Sequence, residues 1–501
     1  MHYDKYNDDL FSFIKNSPTP YHAVANMACS LSNSGFIELN EKDSWSIKPY
    51  SKYFVTRNSS AIIAFLTGEN RPWESGIKLV GAHTDSPALK VKPIPETYSH
   101  QMMRLGVEVY GGAILSSWFD RGLNLAGRVT VVVSNDDSGK DSNINIDGKA
   151  EFGKESIRTL LVNYNAPVAT IPSVAIHLDR DVNNKRIINP QIDMPPLLKA
   201  YVKLKESESK DAQEAALLKE SESCSDITYN KPFKLMLLEQ IMRENSNVNI
   251  KEILDFDMFF SDAQAPFFTG INQEIISAPR LDNLLSCHAA LKSIIRAYSN
   301  NISLDGQPAG NGGISSPCLM VCTDHEEVGS DSASGAKGSF LNSVLSRLIP
   351  DTELRIRSNA RSFMISLDNA HALHPAHPEL HDPNHAPMLN HGPVLKINAS
   401  QRYASDCESS ALLRYICKRA DIPIQTFVIR SDMPCGSTIG PAVSSSTGIK
   451  TVDAGAPTIG MHSIREITGS EDPFMIFQMI NQFFSMQSFS IEPIEIKAAS
   501  N

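Results

Sequence analysis

Acids and imidazoles collect in this chain where apolar runs stop. "IKLVGAHTD" ends in His83 and Asp85, and "RLDNLL" opens on Asp282. "CLMVCTDHEEVGS" ends in Asp324, His325, Glu326 and Glu327; "FMISLDNAHALHP" ends in Asp368 and His371; "TVDAGAPTIGMHSIRE" leads to His462. Taken singly, each has an ordinary explanation: Asp282 as a helix cap, Asp85 as a turn residue, any one histidine as a surface or core group. Taken together, they resemble a ligand set, because imidazole and carboxylate oxygen are the usual ligands of zinc-like ions when cysteine is absent. Two histidines and three carboxylates suit a pair of such ions. The adjacent Glu326 and Glu327 divide naturally: in extended chain neighbouring side chains point to opposite sides, so one binds metal while the other moves a proton.

Such groups act together only if the fold brings the run ends to one place. The runs "YFVT", "AIIAFLTG", "IKLVGAHTD", "CLMVCT", "SFMISLD", "QTFVIR" and "IKTVDAG" read as strands. Between them, "LDNLLSCHAALKSIIRAYS", "SFLNSVLSRLI" and "CESSALLRYICKRA" read as helices, after a first helix near Leu10–Ile14. This alternation predicts an α/β fold with a central mixed sheet, and ligands of such sheets bind beyond the strands' carboxyl ends. Residues 101–250 differ in texture: "GRVTVVVSND" and "VATIPSVAIHLD" suggest a β-rich inserted second domain, with 1–100 and 251–501 forming one discontinuous domain around it. Inside the insert "LKESES" occurs at 204–209 and again at 218–223, a composition that buries almost nothing. "NISLDGQPAGNGGISSP" reads as a surface loop.

Composition narrows the function classes. A chain of 501 residues exceeds the usual size of one core, and 42% apolar with 20% charged residues is ordinary for a globular protein. A net charge of −10 without a long Lys/Arg block excludes the footprint of a nucleic-acid or anionic-membrane binder. No window offers a membrane span and the N-terminus lacks a signal pattern, so a cytoplasmic location is expected. The eight cysteines form no CxxC pair, so reduced thiols are expected, with Cys318 and Cys322 as small core residues.

"GAHTDSP", "RLDNL", "DHEEVGS", "SLDNAHALHP", "GPVLKINASQRYASD" and "GMHSIRE", in this order, resemble the aspartyl aminopeptidases of the M18 zinc metallopeptidase family. The resemblance runs from "FIKNSPTPYHAV" to "GMHSIREI". It implies two Zn2+ per subunit: His83 and Asp368 on one, Glu327 and His462 on the other, and Asp282 bridging both. Glu326 would be the general base for the shared water, and Asp85 would hydrogen-bond the far nitrogen of His83 and fix its tautomer. His371, Lys396 and Tyr403 would line the substrate pocket, and His177 would reach a neighbouring subunit's site. The partners implied are peptides with an acidic N-terminus and further copies of the chain, in a dodecamer built from dimers through the insert.

Other readings stand beside this one. A leucine-type aminopeptidase would share the metal residues and differ only in the pocket. An assembled scaffold or cargo with a vestigial site would be expected to lack a ligand, and none is missing. Six of the fourteen histidines fall between His371 and His391, but the prolines of "HPAHPELHDPNHAPMLNH" favour an irregular loop over a metal tract, His371 excepted.

Overall fold

The computed structural model describes residues 3–134, 155–200, 232–245, 248–299 and 315–487. The "LKESES" duplicate, Cys224 and most of the "NISLDGQPAGNGGISSP" segment lie outside the described residues. The chain divides into two compact units, one comprising 1–87 with 265–501, the other 88–264. These limits fall where strands begin and end rather than at the change of texture near 101 and 250. The strand Ala88–Ser99 starts the second unit and the strand Ile250–Asp262 finishes it.

The first unit is a layered α/β structure around a nine-stranded mixed sheet. Its centre is the strand Lys78–His83, which lies parallel to both Cys318–Thr323 and Phe363–Leu367, and the last of these is parallel to Lys450–Gly455. All six residues of Lys78–His83 are buried, as expected of a strand covered on both faces. The only long polar side chain in that run, Lys78, ends on the main-chain carbonyls of Phe484 and Met486, so its ammonium is satisfied without water. The helices Leu281–Ser299 and Asp472–Ser485 pack together on one face, burying Leu284, Leu291, Ile476, Phe483 and neighbours. Phe340–Leu348 and Ile439–Thr447 cover the other face through Phe340, Val344, Ile439 and Val443.

A second, five-stranded sheet of short strands also belongs to this unit: Phe267–Thr269, Ile275–Ala278, Glu466–Gly469, Pro457–Ile459 and Ala370–His371. None is longer than four residues, and they come from three distant stretches of chain.

The second unit is a six-stranded antiparallel sheet, with Leu123–Ser134 against Ile250–Asp262 and Glu155–Asn163. Leu123–Ser134 alternates buried and half-buried residues in its second half, the period-2 signature of a sheet with one covered face. "VATIPSVAIHLD" does not form the strand that its β-branched residues suggest. It makes only isolated bridges at Ala169 and Thr170, then turns outward, because Pro167 and Pro172 flank the pairing and deny it donors. The seven described cysteines are free thiols, and Cys318 and Cys322 are fully buried. Among the described residues no helix is long and apolar enough to cross a membrane.

Candidate metal centre

Three adjacent parallel strands deliver the centre. His83 is the last residue of Lys78–His83, Asp324 follows Cys318–Thr323 directly, and Asp368 follows Phe363–Leu367. Register sets Thr323 beside His83 and Ser366 beside Gly81, so the three ends are level. At the fourth strand, Gly455 makes room for Asp368: a Cβ there would fall well inside contact distance of the Asp368 carbonyl.

Asp282 enters from the helix side. It has extended backbone angles at the start of Leu281–Ser299. Ser86 Oγ donates to its carbonyl at 2.8 Å, and Asn283 Nδ2 donates to the Leu367 carbonyl at 2.7 Å. These bonds tie the start of the helix to the ends of two strands. Each Asp282 carboxylate oxygen faces one histidine: Oδ1 lies 3.5 Å from His83 Nε2, and Oδ2 lies 3.4 Å from His462 Nε2. His462 Nε2 is also 3.4 Å from Glu327 Oε2. Donor atoms of His83, Glu326 and Asp368 lie within 4.8 Å of one another, as do those of His83, Asp282 and Glu327. The residues singled out from the sequence as metal ligands therefore converge.

The Glu326–Glu327 pair is held differently from the extended arrangement expected. Glu326–Val328 forms a single 3-10 turn behind His325, whose φ is +61°. At three residues per turn, successive side chains diverge by about 120° rather than 180°, which still separates the two carboxylates. The Asp85 carboxylate sets this turn, accepting both the Glu326 and the Glu327 N–H at 3.1 Å. The His83 Nδ1 bond goes to the main-chain carbonyl of Asp85 at 3.0 Å, with the Asp85 carboxylate at 3.4 Å. Asp85 thus serves the tautomer through its backbone and the glutamate pair through its side chain.

The electrostatics of the cluster call for cations. Burial first, and neighbouring acids after it, raise the Glu326 carboxyl to about 8 and push Glu327 and Asp368 up, against the opposing pull of the nearby cationic groups. Burial works against charging His83 and His462, yet their acidic neighbours, Asp282 first, hold both above the ordinary range, His462 at about 10. Three buried atoms, His83 Nε2, Asp282 Oδ1 and Glu327 Oε1, make no hydrogen bond. Buried polar atoms left in this way are costly unless another partner binds them, and a divalent ion fits both the geometry and the excess of acid.

The expected pocket residues are placed variously. Lys396 is 3% exposed and sits beside Asp368. Its Nζ donates to the Asp368 and Asn369 carbonyls at 3.0 and 2.9 Å and lies 3.4 Å from Asp368 Oδ1. Tyr403 is buried, its ring centroid 5.0 Å from that ammonium. His371 keeps a solvent-exposed face while crowded by protein; that crowding lowers its pKa to about 4, with Lys396 adding to the effect. His177 lies on an exposed turn of the second unit. The histidines after His371 form no metal cluster among the described residues; His377 and His385 pair locally with Glu379 and Asp382. One residue of the site carries no assignment from the sequence: Glu466, the last letter of "GMHSIRE", whose only signal is an acid opening the otherwise uncharged run "EITG".

Residues 13–484 match the family model described as aminopeptidase I zinc metalloprotease (M18). A probable M18 family aminopeptidase 2 of Pseudomonas entomophila (strain L48) is 43% identical over 481 residues, 96% of this chain and 98% of the relative. One of Azotobacter vinelandii (strain DJ / ATCC BAA-1303) is 42% identical over 479 residues, with the same coverage. Among solved structures, a chain of the cryo-EM structure of the Ape4 and Nbr1 complex superposes with a TM-score of 0.82 at 36% identity, covering 95% of this chain and 85% of that one. The crystal structure of prApe1 gives 0.79 at 27%, covering 96% and 95%. With whole-chain matches of sequence and fold around a cluster of imidazoles and carboxylates, this chain belongs to the M18 family of zinc aminopeptidases.

Proposed function

We propose that the protein removes acidic residues, Asp or Glu, from peptide N-termini, using two zinc ions bridged by Asp282. The observation that carries the two-ion reading is the placement of the Asp282 carboxylate, one oxygen toward His83 and the other toward His462. A bridging ligand needs this arrangement. His83 and Asp368 would hold one ion, Glu327 and His462 the other. Zinc bound there would polarise the scissile carbonyl and ease deprotonation of water.

The chain's own groups do the rest. Glu326, beside Asp368 and His83 yet on a different spoke of its turn from Glu327, takes the proton of the attacking water and returns it to the leaving amine. A carboxylate can take up that proton and give it back within one turnover, which is what a general base that later acts as the acid must do. Asp85 holds the turn that aims Glu326. The surrounding acids favour the substrate's free ammonium and so confine cleavage to the first residue. Lys396, with His371 and Tyr403 nearby, is the cation placed to meet an acidic side chain. One observation favours a neutral-residue pocket instead: Lys396 already donates to two carbonyls, leaving one proton for a substrate.

Assembly into a homo-oligomer through the second unit is supported by two findings. The structure of the S. cerevesiae mApe1 dodecamer superposes with a TM-score of 0.75 at 26% identity. The second unit also exposes large apolar side chains close together in sequence: Val174 at 60%, Leu178 at 83% and Ile187 at 77%. Exposed apolar residues grouped in this way mark interaction surfaces, and His177 lies among them.

The test is hydrolysis of matched peptides beginning with Glu, Asp or Leu, before and after zinc removal by a chelator. Chelator-sensitive activity favouring the acidic peptides is expected. Preference for Leu would support the neutral reading, and activity indifferent to chelation would overturn the metal mechanism.

A further inference from the structure

Glu466 is a buried carboxylate that neither the ligand set nor the general base uses. It opens the strand Glu466–Gly469 opposite Ala278, the last residue of Ile275–Ala278. The antiparallel pairing puts the chain entering one strand beside the chain leaving the other. His462 lies four residues before Glu466, and Asp282 four residues after Ala278. The carboxylate spans the two: Oε2 accepts the Asp282 N–H at 2.9 Å, and Oε1 accepts the His462 N–H at 2.8 Å. Glu466 is 1% exposed, so water does not compete for either bond.

We propose that Glu466 is a positioning residue that fixes the distance between Asp282 and His462, and thereby the affinity of the second metal position. The proposal rests on the two-zinc reading above. Its chemistry is specific to a carboxylate. Both partners are N–H donors, and only a side chain with two acceptor oxygens at that spacing satisfies both at once. Glutamine has the same shape but one acceptor; its NH2 would face either the Asp282 or the His462 N–H. Asp282 is 3% exposed and tied by the Ser86 bond to its carbonyl. His462 sits in a turn with φ of +69° and a side chain 31% exposed. The turn is the part that yields, so His462 moves off Asp282 and Glu327 while His83 and Asp368 keep their places.

The experiment is a competition titration of metal-free protein with zinc against a chromophoric chelator. The parent is expected to bind two zinc ions, and Glu466→Gln to bind one as the parent does and the second about 10–100-fold more weakly, the usual cost of losing a group that orients a ligand. In a His462→Ala background Glu466→Gln should cost no further affinity, because the group through which it acts is gone. Asp472→Asn is the structural control. Asp472 is equally buried and accepts the Asn390, Gly392 and Gly469 N–H groups, so its loss should lower the melting temperature with zinc affinity unchanged. If Glu466→Gln does not fold, Glu466→Asp, which keeps both acceptors on a shorter arm, enters the same cycle, with a weakened second zinc expected only where His462 is present. Two zinc ions at parental affinity in the folded Glu466 variant, or an equal loss in the His462→Ala background, overturns the positioning role. A parent that binds fewer than two zinc ions overturns the two-zinc reading, and this inference with it.

Discussion

Replacing Lys396 by methionine separates the job that its contacts show, holding the Asp368 segment, from the proposed one, reading an acidic substrate. The side chain keeps its length and apolar stem but loses every donor. Two bonds to the Asp368 and Asn369 carbonyls disappear, as does the cation 3.4 Å from Asp368 Oδ1. An unsatisfied buried carbonyl costs about 1–3 kcal/mol, and removing one partner of a buried ion pair about 3–5 kcal/mol. Lys396→Met should therefore lower stability and kcat/KM for every peptide. This damage is common to all substrates and cancels in the ratio of kcat/KM for Glu-terminated over Leu-terminated peptides. What survives in the ratio is the third proton of the ammonium. If it meets the substrate carboxylate, a charged hydrogen bond of roughly 1.5–3 kcal/mol is lost for the Glu peptide alone, a fall of about one to two decades. The assay is steady-state hydrolysis of the two peptides at saturating zinc, with zinc content measured in both proteins. A ratio that stays put while both rates fall refutes the reasoning: Lys396 then only anchors Asp368. A parent that already prefers leucine refutes the acidic specificity itself.

Glu326→Gln should reduce kcat by about 10²–10⁴-fold with zinc content unchanged, whereas Glu327→Gln should lose zinc by metal analysis; the opposite pattern would exchange the two roles. Gly455→Ala drives a methyl into the Asp368 main chain and should cost about 1–3 kcal/mol of stability by denaturant unfolding, together with bound zinc. His22 is buried and its pKa is lowered to about 4 from 6.5, chiefly by burial and then by Arg280. The folded state prefers the neutral ring, so this contribution is complete above pH 6.5 and is lost as pH falls toward 4. Parent stability should accordingly drop by up to about 3 kcal/mol more than that of His22→Gln across the window, measured by urea unfolding. Leu178→Glu, on the exposed turn, should reduce the assembled size seen by light scattering while leaving the chain folded; an unchanged size would remove that turn from the interface.

Local chemistry in the sequence determined the framework of this protein. The runs "IKLVGAH", "CLMVCT" and "SFMISL" are strands because six or so consecutive apolar residues bounded by polar turns have few other ways to be buried. Their ends were legible for the same reason, since a charged residue after such a run must lie where the covered sheet stops. His83, Asp282, Glu327, Asp368 and His462 were singled out in this way and by their resemblance to a family, and the fold brings them together. What tertiary structure alone decided is how these groups are held. The five-stranded sheet is built from strands of two to four residues, too short to carry a periodicity, and it exists only because distant segments pair. The turn of Glu326 depends on Asp85, 241 positions away, and the Asp282–Glu466 bond spans 184. Lys396 reads in sequence as a strand lysine available to a ligand, and only the fold shows two of its protons already bonded to the carbonyls that follow Phe363–Leu367. Hydrogen-bond partners across such separations leave no local pattern, because a donor's type is written in the chain while its acceptor is chosen by the fold.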